Sequence, residues 1–240
     1  VLRAPHGEVD PVRPWPQRPQ HGGDERLPRP ARRRRGQAGP ALGPAFSAGL
    51  NLKEVASLDR AGAERFLEVL CRLIDALYRY PAPTVAYVNG HAIAGGCVLA
   101  LACDYRVAAP ASGPDAPRIG LNEVALGLRF PPSILDLVRR RVPPQHLETV
   151  VLGAGLFPPA EALSLGLLDA VRDDAHDHAR ATLAALAAHP PSAYAAAKRA
   201  LRPALSGSPA EVADFADGGL ESWVSPELKA RIAALLAPKK

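Results

Sequence analysis

No stretch of the chain approaches the ~18 consecutive apolar residues that a membrane-spanning helix needs. The first residues carry no apolar segment either, so neither a membrane span nor a secretory leader is expected. Cysteine is scarce, with only Cys71, Cys97 and Cys103, and no CxxC spacing joins them. That count argues against a disulfide framework or a zinc site and for buried free thiols in a reducing, cytoplasmic setting. A GxSxG motif is missing, and no His/Ser pairing points to a hydrolytic triad. His176 and His178 sit two apart in "DDAHDHAR"; on a helix that spacing faces them apart, so no metal is expected there. Excess charge is lacking over most of the chain. Nine arginines and four acids fall in residues 1–40, which therefore carry the whole net charge of +5. The remaining chain offers no electrostatic case for a nucleic-acid or membrane partner.

What is present is a sequence of 240 residues, 48% of them hydrophobic. That is enough for one large domain, or one domain with a smaller appendage. Residues 1–40 stand apart. "PVRPWPQRPQ" and "LPRPARRRRGQAGP" show no period of 2 or 3.6, and proline neither donates to a strand ladder nor continues a helix. The segment is expected to be disordered or irregular. The run Arg32 to Arg35 reads as a solvated charge run, with a nucleic-acid patch as the rival reading. The abundance of Arg, Pro, Ala and Gly fits a GC-rich coding sequence, so a shifted reading frame before about residue 41 is a further reading of this segment.

From residue 41 the text is orderly. Apolar residues at Phe66, Leu67, Leu70, Leu73, Ile74 and Leu77 have helical spacing, which Pro81 and Pro83 end. "TVAYV" (84–88) reads as a buried strand closed by Asn89-Gly90. A short helix over 97–102 and a strand in "YRVAA" follow. "SILDLVRRRV" and "HLETVVL" read as helices, each preceded by a proline pair suited to a first turn. "PAEALSLG" reads as a short helix stopped by Gly166, and "LLDAV" as a strand. Beyond about residue 173 the pattern is nearly all helix. Strands alternating with helices, followed by helices, predict an α/β core with a helical C-terminal part.

The stretch "NGHAIAGGCVLALACDYR" (89–106) opens a buried helix with Gly95-Gly96, although each glycine weakens a helix by about 1 kcal/mol relative to alanine. One reading is packing: bare backbone lets the helix approach a strand. The other is chemical. A helix N-terminus presents unpaired N–H groups and partial positive charge, suited to a phosphate or an oxygen that gains charge during reaction. "GPAFSAGLNL" (43–52) is a second small-residue loop, with Ala48-Gly49 after Phe46. Two such loops would supply two donors to one oxygen.

"AFSAGLNLKEV", "PTVAYVNGHAIAGGCVLALACDYRVAA", "IGLNEVALGL" and "GLFPPAEALSLGLLDAV" resemble, in order and spacing, the four signature blocks of the crotonase, or enoyl-CoA hydratase/isomerase, superfamily. The resemblance covers residues 41–240 and leaves out 1–40. It implies an α/β fold, a crotonase-like spiral of ββα units with a helical C-terminal region. The implied parts are an atypical segment 1–40, a core 41–190 and a helical oligomerisation region 191–240, assembling as a homotrimer or hexamer. The implied substrate is an acyl-CoA thioester, so no cofactor is expected beyond the coenzyme A that belongs to the substrate. The N–H groups of Leu50 and Gly95 are implied as an oxyanion hole for the thioester oxygen. Phe46, Ala48, Gly96 and Val98 are implied as substrate-binding residues. The family usually carries Asp at the position of Asn51, a residue expected to orient the oxyanion loop. Asp104 and Arg106 are expected to pair at a strand end.

Within this family a hydratase resembles the chain but places one glutamate where Val98 stands and a second where Glu123 stands. Adding water needs one group to activate it and another to protonate carbon, whereas a 1,3 proton shift needs a single carboxylate in a dry pocket. The blocks resemble most the mitochondrial-type Δ3,Δ2-enoyl-CoA isomerases. That resemblance implies Glu123 as the proton shuttle of an isomerase in fatty acid β-oxidation. The rivals are another crotonase activity (hydratase or thioester hydrolase) and a catalytically silent or nucleic-acid-binding relative.

Overall fold

The computed structural model describes Leu2–Arg3, Asp10–Pro11 and residues 45–237. The first strands are β1 (Leu2–Arg3), β2 (Asp10–Pro11) and β3 (Ala45–Ser47). Helices α1 (Leu52–Ser57) and α2 (Arg60–Tyr78) follow, then β4 (Thr84–Val88), β5 (His91–Ile93), α3 (Gly95–Ala102), β6 (Tyr105–Ala108) and β7 (Ile119–Gly120). Next come α4 (Glu123–Leu126), α5 (Pro132–Arg141), α6 (Leu147–Val151), β8 (Leu156–Phe157), α7 (Pro159–Ser164) and β9 (Ala170–Val171). The chain closes with α8 (Ala175–Ala187), α9 (Pro191–Leu201), α10 (Pro209–Asp214) and α11 (Pro226–Leu236).

Two sheets form, one ordered β2-β1-β4-β6-β9 and the other β3-β5-β7-β8. In the first, β4 pairs in parallel with β6 and β6 with β9. In the second, β3 pairs in parallel with β5, and β5 with β7. Parallel neighbours need crossovers, which is why helices separate these strands along the chain. The "TVAYV" strand is the central strand of its sheet, and its residues are buried except for the half-buried Tyr87.

Four residues of the atypical N-terminal segment depart from expectation. Leu2–Arg3 pairs antiparallel with Thr84–Val85, and Asp10–Pro11 pairs with Leu2–Arg3. Pro11 sits on the edge strand, where a missing N–H is tolerated. The readings of Arg32 to Arg35, and of the rest of 1–40, lie outside the described residues.

Helix α2 forms where the apolar period predicts it. Asp59 caps it by accepting from the Gly62 N–H at 2.7 Å, and it buries Ala63, Leu67, Ile74 and Tyr78. Proline pairs start α5, α7 and α9, with proline at the first helical position each time. After α7, Gly166 takes a left-handed φ of 77°, the conformation that stops a helix at little steric cost when there is no Cβ. Helix α3 lies in the core, with Cys97, Val98, Ala100, Leu101 and Ala102 all buried beside Ile74, Leu121, Leu137 and Val138. It packs against α2, α5, β3 and β5.

Two polar pairings differ from expectation. Arg106 does not meet Asp104: its Nη2 donates to Asp169 Oδ1 at 2.7 Å, and its backbone N–H donates to Asp169 Oδ2 at 2.8 Å. Alternation would set residues two apart on one face, but Asp104 lies just outside β6 and its carboxyl is drawn to α9. Asp104 instead accepts from Lys198 Nζ at 2.8 Å, from Tyr194 OH at 2.9 Å and from the Thr84 N–H at 2.8 Å. Asn51 is the N-cap of α1, accepting from the Lys53 N–H at 3.2 Å.

All three cysteines are free thiols. Burial pushes the Cys97 thiol up to about 12 and Cys103 to about 11, so both are inert packing groups. His178 Nε2 lies 3.1 Å from the Tyr105 hydroxyl, while His176 meets Asp177; the two imidazoles have separate partners. No helix among the described residues is long and apolar enough to cross a membrane.

Candidate active site

The glycine pair divides its labour. A Cβ on Gly96 would meet the carbonyl oxygen of Ser47 far inside contact distance, so Gly96 seats α3 on the end of β3. The nearest atoms to a Cβ on Gly95 would be Leu50 side-chain carbons at 3.5 and 3.6 Å and Gly49 Cα at 3.8 Å, ordinary contact distances. Gly95 therefore faces the loop after β3 across a narrow gap. The packing reading of the pair holds at Gly96.

The chain enters α3 through a strained residue. Ala94 has φ 52° and ψ −122°, a region that alanine rarely occupies and that costs on the order of 1–3 kcal/mol. Its N–H is held by Gly120 O at 2.9 Å and its carbonyl by the Val98 N–H at 3.0 Å. Facing it, Gly49 has φ 93°, and a Cβ there would stand 2.9 Å from Ile93 O. Only glycine fits that turn without strain. Among the described residues, neither the Leu50 N–H nor the Gly95 N–H donates a hydrogen bond. For Gly95 this follows from its place in the first turn of a helix.

Both residues line a cavity of ≈ 150 Å³. Its wall is apolar apart from Asn122 and Glu123, with Ala48, Val98, Phe130, Ile134 and Trp223 among the lining residues. Glu123 opens the single turn of α4. That turn is closed by Gly127 in the left-handed region (φ 80°) and by Leu128 N–H donating to Glu123 O at 2.9 Å. The side chain is 7% exposed, and its Oε2 has no hydrogen-bond partner. Burial pushes its carboxyl up from the ordinary carboxylate range to about 7, partly opposed by a hydrogen bond to its own backbone. A carboxyl raised toward neutrality suits both taking and returning a proton. Val98, 3% exposed, supplies hydrocarbon to the same cavity.

Of the residues singled out in the sequence, Glu123, Leu50, Gly95, Ala48 and Val98 meet around this one space. Phe46 and Gly96 are not in its wall. Phe46 packs against the main core, and Gly96 backs onto Ser47. Sequence reasoning missed Asn122, whose buried Oδ1 is also unpartnered. It missed as well the C-terminal contribution of Trp223 and Leu235. The signal for Asn122 was its adjacency to Glu123. Trp223 carried none, since its Nε1–H donates to Arg129 O, 94 residues away, at 3.0 Å.

Comparison with known proteins places the chain in a family. The enoyl-CoA hydratase/isomerase family model matches residues 39–226. A probable enoyl-CoA hydratase of Mycobacterium tuberculosis is 34% identical over 168 residues, 69% of this chain and 62% of that protein. A mitochondrial enoyl-CoA delta isomerase 1 of Rattus norvegicus is 37% identical over 141 residues, 58% of this chain and 48% of its own length. The chain thus spans about half to three fifths of the curated relatives it matches. The human mitochondrial delta3-delta2-enoyl-CoA isomerase structure superposes with a TM-score of 0.61 at 29% identity, covering 78% of this chain and 69% of that one. The α/β architecture is accordingly the crotonase fold, and the chain belongs to the enoyl-CoA hydratase/isomerase family.

Proposed function

We propose that this chain is a Δ3,Δ2-enoyl-CoA isomerase, shifting the double bond of a 3-enoyl-CoA thioester to the 2-position. The observation that carries this reading is the lone buried carboxyl of Glu123, raised to about 7, in a cavity whose wall is apolar but for it and Asn122 and where Val98 stands at the position a second acid would take.

Glu123 removes a proton from C2. The electron pair moves toward the thioester carbonyl, and the resulting dienolate oxygen is held by the Leu50 and Gly95 N–H groups. Loss of one such preorganised donor typically costs about 2.7–4 kcal/mol of transition-state stabilisation. The protonated carboxyl then delivers the proton to C4, restoring the carbonyl with the double bond in conjugation. Nothing is consumed, and Glu123 returns to its starting state. The apolar wall keeps water from capturing the proton or adding to the product.

A second reading, enoyl-CoA hydratase, is favoured by the mycobacterial relative and by the two unpaired acceptor oxygens of Asn122 and Glu123 at the cavity wall, which a water would satisfy. The deciding experiment compares isomerisation of a 3-enoyl-CoA with hydration of crotonyl-CoA by the same preparation. Isomerisation well above hydration, abolished in Glu123→Gln, supports the proposal. Hydration as the faster reaction would replace it with the second reading.

A further inference from the structure

Helix α3 has no polar side chain with which to satisfy its own last carbonyls, for its sequence is GGCVLALA. The last four carbonyls of a helix lack intrahelical partners, and here they are buried. Cys103 takes two of them, its N–H donating to Ala100 O at 3.1 Å and its Sγ to Leu99 O at 3.5 Å; two arginines from elsewhere in the chain take Leu101 O and Ala102 O, together with carbonyls just past the helix. Arg141, at the end of α5, donates through Nε to Leu101 O at 2.9 Å and through Nη2 to Cys103 O at 3.0 Å and Asp104 O at 3.4 Å. Arg202, just past α9, donates through Nη1 to Ala102 O at 3.1 Å and to Tyr78 O at 2.9 Å, the last residue of α2. Its Nη2 reaches Cys103 O at 3.5 Å. Asp104 anchors Arg202 at 3.0 Å. Three helix ends thus meet α3 at its C-terminus.

The arrangement is costly, which argues that it does something. Burial and the neighbouring Arg106 and Arg202 charges bring Arg141 down to about 10. At the other end α3 has no side-chain cap, and Ala94 makes no such bond. Backbone contacts seat that end, Ala94 N–H on Gly120 O and Gly96 against Ser47, and side-chain hydrogen bonds fix the helix from the C-terminus, where positive charge also complements the helix dipole. Over eight residues the helix is about 12 Å long and rigid. A slide along its axis moves Gly95 by the same distance relative to Leu50.

We infer that Arg141 and Arg202 are positioning residues that lock α3 from its far end and so hold the Gly95 N–H in register with Leu50 at the cavity. The inference rests on Gly95 acting as an oxyanion donor. Misplacement by about 1 Å, even from a remote substitution, lowers turnover on the order of 100-fold. A lysine keeps the charge but cannot span two carbonyls as a guanidinium fork does.

The test uses Arg141→Lys and Arg202→Lys in the full chain. Arg139→Ala, which removes an exposed α5 arginine paired with Glu211, is the control. Turnover and KM for a 3-enoyl-CoA, near-UV absorbance of a bound 3-ketoacyl-CoA enolate, and amide hydrogen exchange across residues 95–103 are measured well below the unfolding temperature. The lysine variants should lose between about 10- and 100-fold in kcat with KM little changed. They should also lose the enolate absorbance and exchange faster in α3, but not in α8. The control should match the parent. Parental kcat and parental α3 exchange in both lysine variants would overturn the inference. If the parent neither isomerises nor binds the enolate, the thioester reading fails, and exchange alone decides the lock: faster exchange confined to α3 supports it, and unchanged exchange sinks it.

Discussion

A Cβ on Gly96 would overlap the carbonyl oxygen of Ser47, whereas one on its neighbour Gly95 finds nothing nearer than a Leu50 methyl at 3.5 Å. The two glycines should therefore fail in different ways when replaced. Gly96→Ala forces α3 off β3, and overpacking of this kind costs about 1–3 kcal/mol, enough to lower Tm by several degrees in a domain of this size. Gly95→Ala fits sterically and gains up to about 1 kcal/mol of helix propensity. Its methyl, however, would stand in the gap between Gly95 and the Gly49–Leu50 loop, where the proposal places the thioester oxygen. Thermal unfolding and turnover measured side by side should show Gly96→Ala losing stability and Gly95→Ala keeping stability while losing most activity. The opposite pattern would remove Gly95 from the site.

The raised carboxyl of Glu123 ties activity and stability to pH with opposite signs. As a base it must be ionised, so kcat/KM should rise with pH and level off above about 7. The folded state holds this proton more tightly than the unfolded chain, where a glutamate titrates near 4.3. Between those values the folded state binds more protons, so the stabilising contribution is complete below the unfolded value and is lost as pH rises through about 7. Glu123→Gln removes the buried charge. It should lose at least about 100-fold in turnover while unfolding at a higher denaturant midpoint than the parent at pH 8. A variant that retained parental turnover, or a parent whose activity stayed flat from pH 5 to 8, would end the assignment of Glu123.

Much of this molecule was legible because its long elements speak in period. The 19 residues of α2 announce themselves by apolar spacing, and the proline pairs mark helix starts by removing N–H groups that a first turn leaves unpaired anyway. The cavity's principal residues were legible from the motif blocks. What was hidden depends on distant partners. Strands of two or three residues, such as His91–Ile93 and Ile119–Gly120, are too short to carry a period-2 pattern, and only their pairing defines them. Asp104 is sequence-adjacent to Tyr105 and Arg106, yet its partners Tyr194, Lys198 and Arg202 come from 90 or more residues later. The division between Gly95 and Gly96 required knowing where Ser47 lies.

That buried acid sets a third expectation. Asp104 is the anion for Lys198 and Arg202, all three largely out of solvent. Removing one partner of such a cluster leaves uncompensated charge and typically costs about 3–5 kcal/mol. Asp104→Asn should therefore destabilise the fold far more than Asp174→Asn, which breaks an exposed pair with Arg172 of the kind worth about 0–1 kcal/mol. Urea unfolding of the two variants gives the comparison, and similar midpoints would show that the cluster contributes little.

Val98 offers the sharpest test of why a single acid suffices. It is 3% exposed, and it lines the cavity together with Glu123. Val98→Glu would place a second carboxyl in the same low-dielectric space. Two carboxyls there cannot both ionise freely, so one should titrate well above the ordinary range, and the fold should lose stability through the added buried polar group. The pair also gives water what the parent cavity lacks, a group to activate it and another to protonate carbon. Crotonyl-CoA hydration, followed by loss of the conjugated thioester absorbance, should therefore rise above the parent's background while 3-enoyl-CoA isomerisation falls. If Val98→Glu folds, binds the acyl-CoA and leaves the ratio of the two rates unchanged, then exclusion of water by hydrocarbon at this position is not what separates the two chemistries.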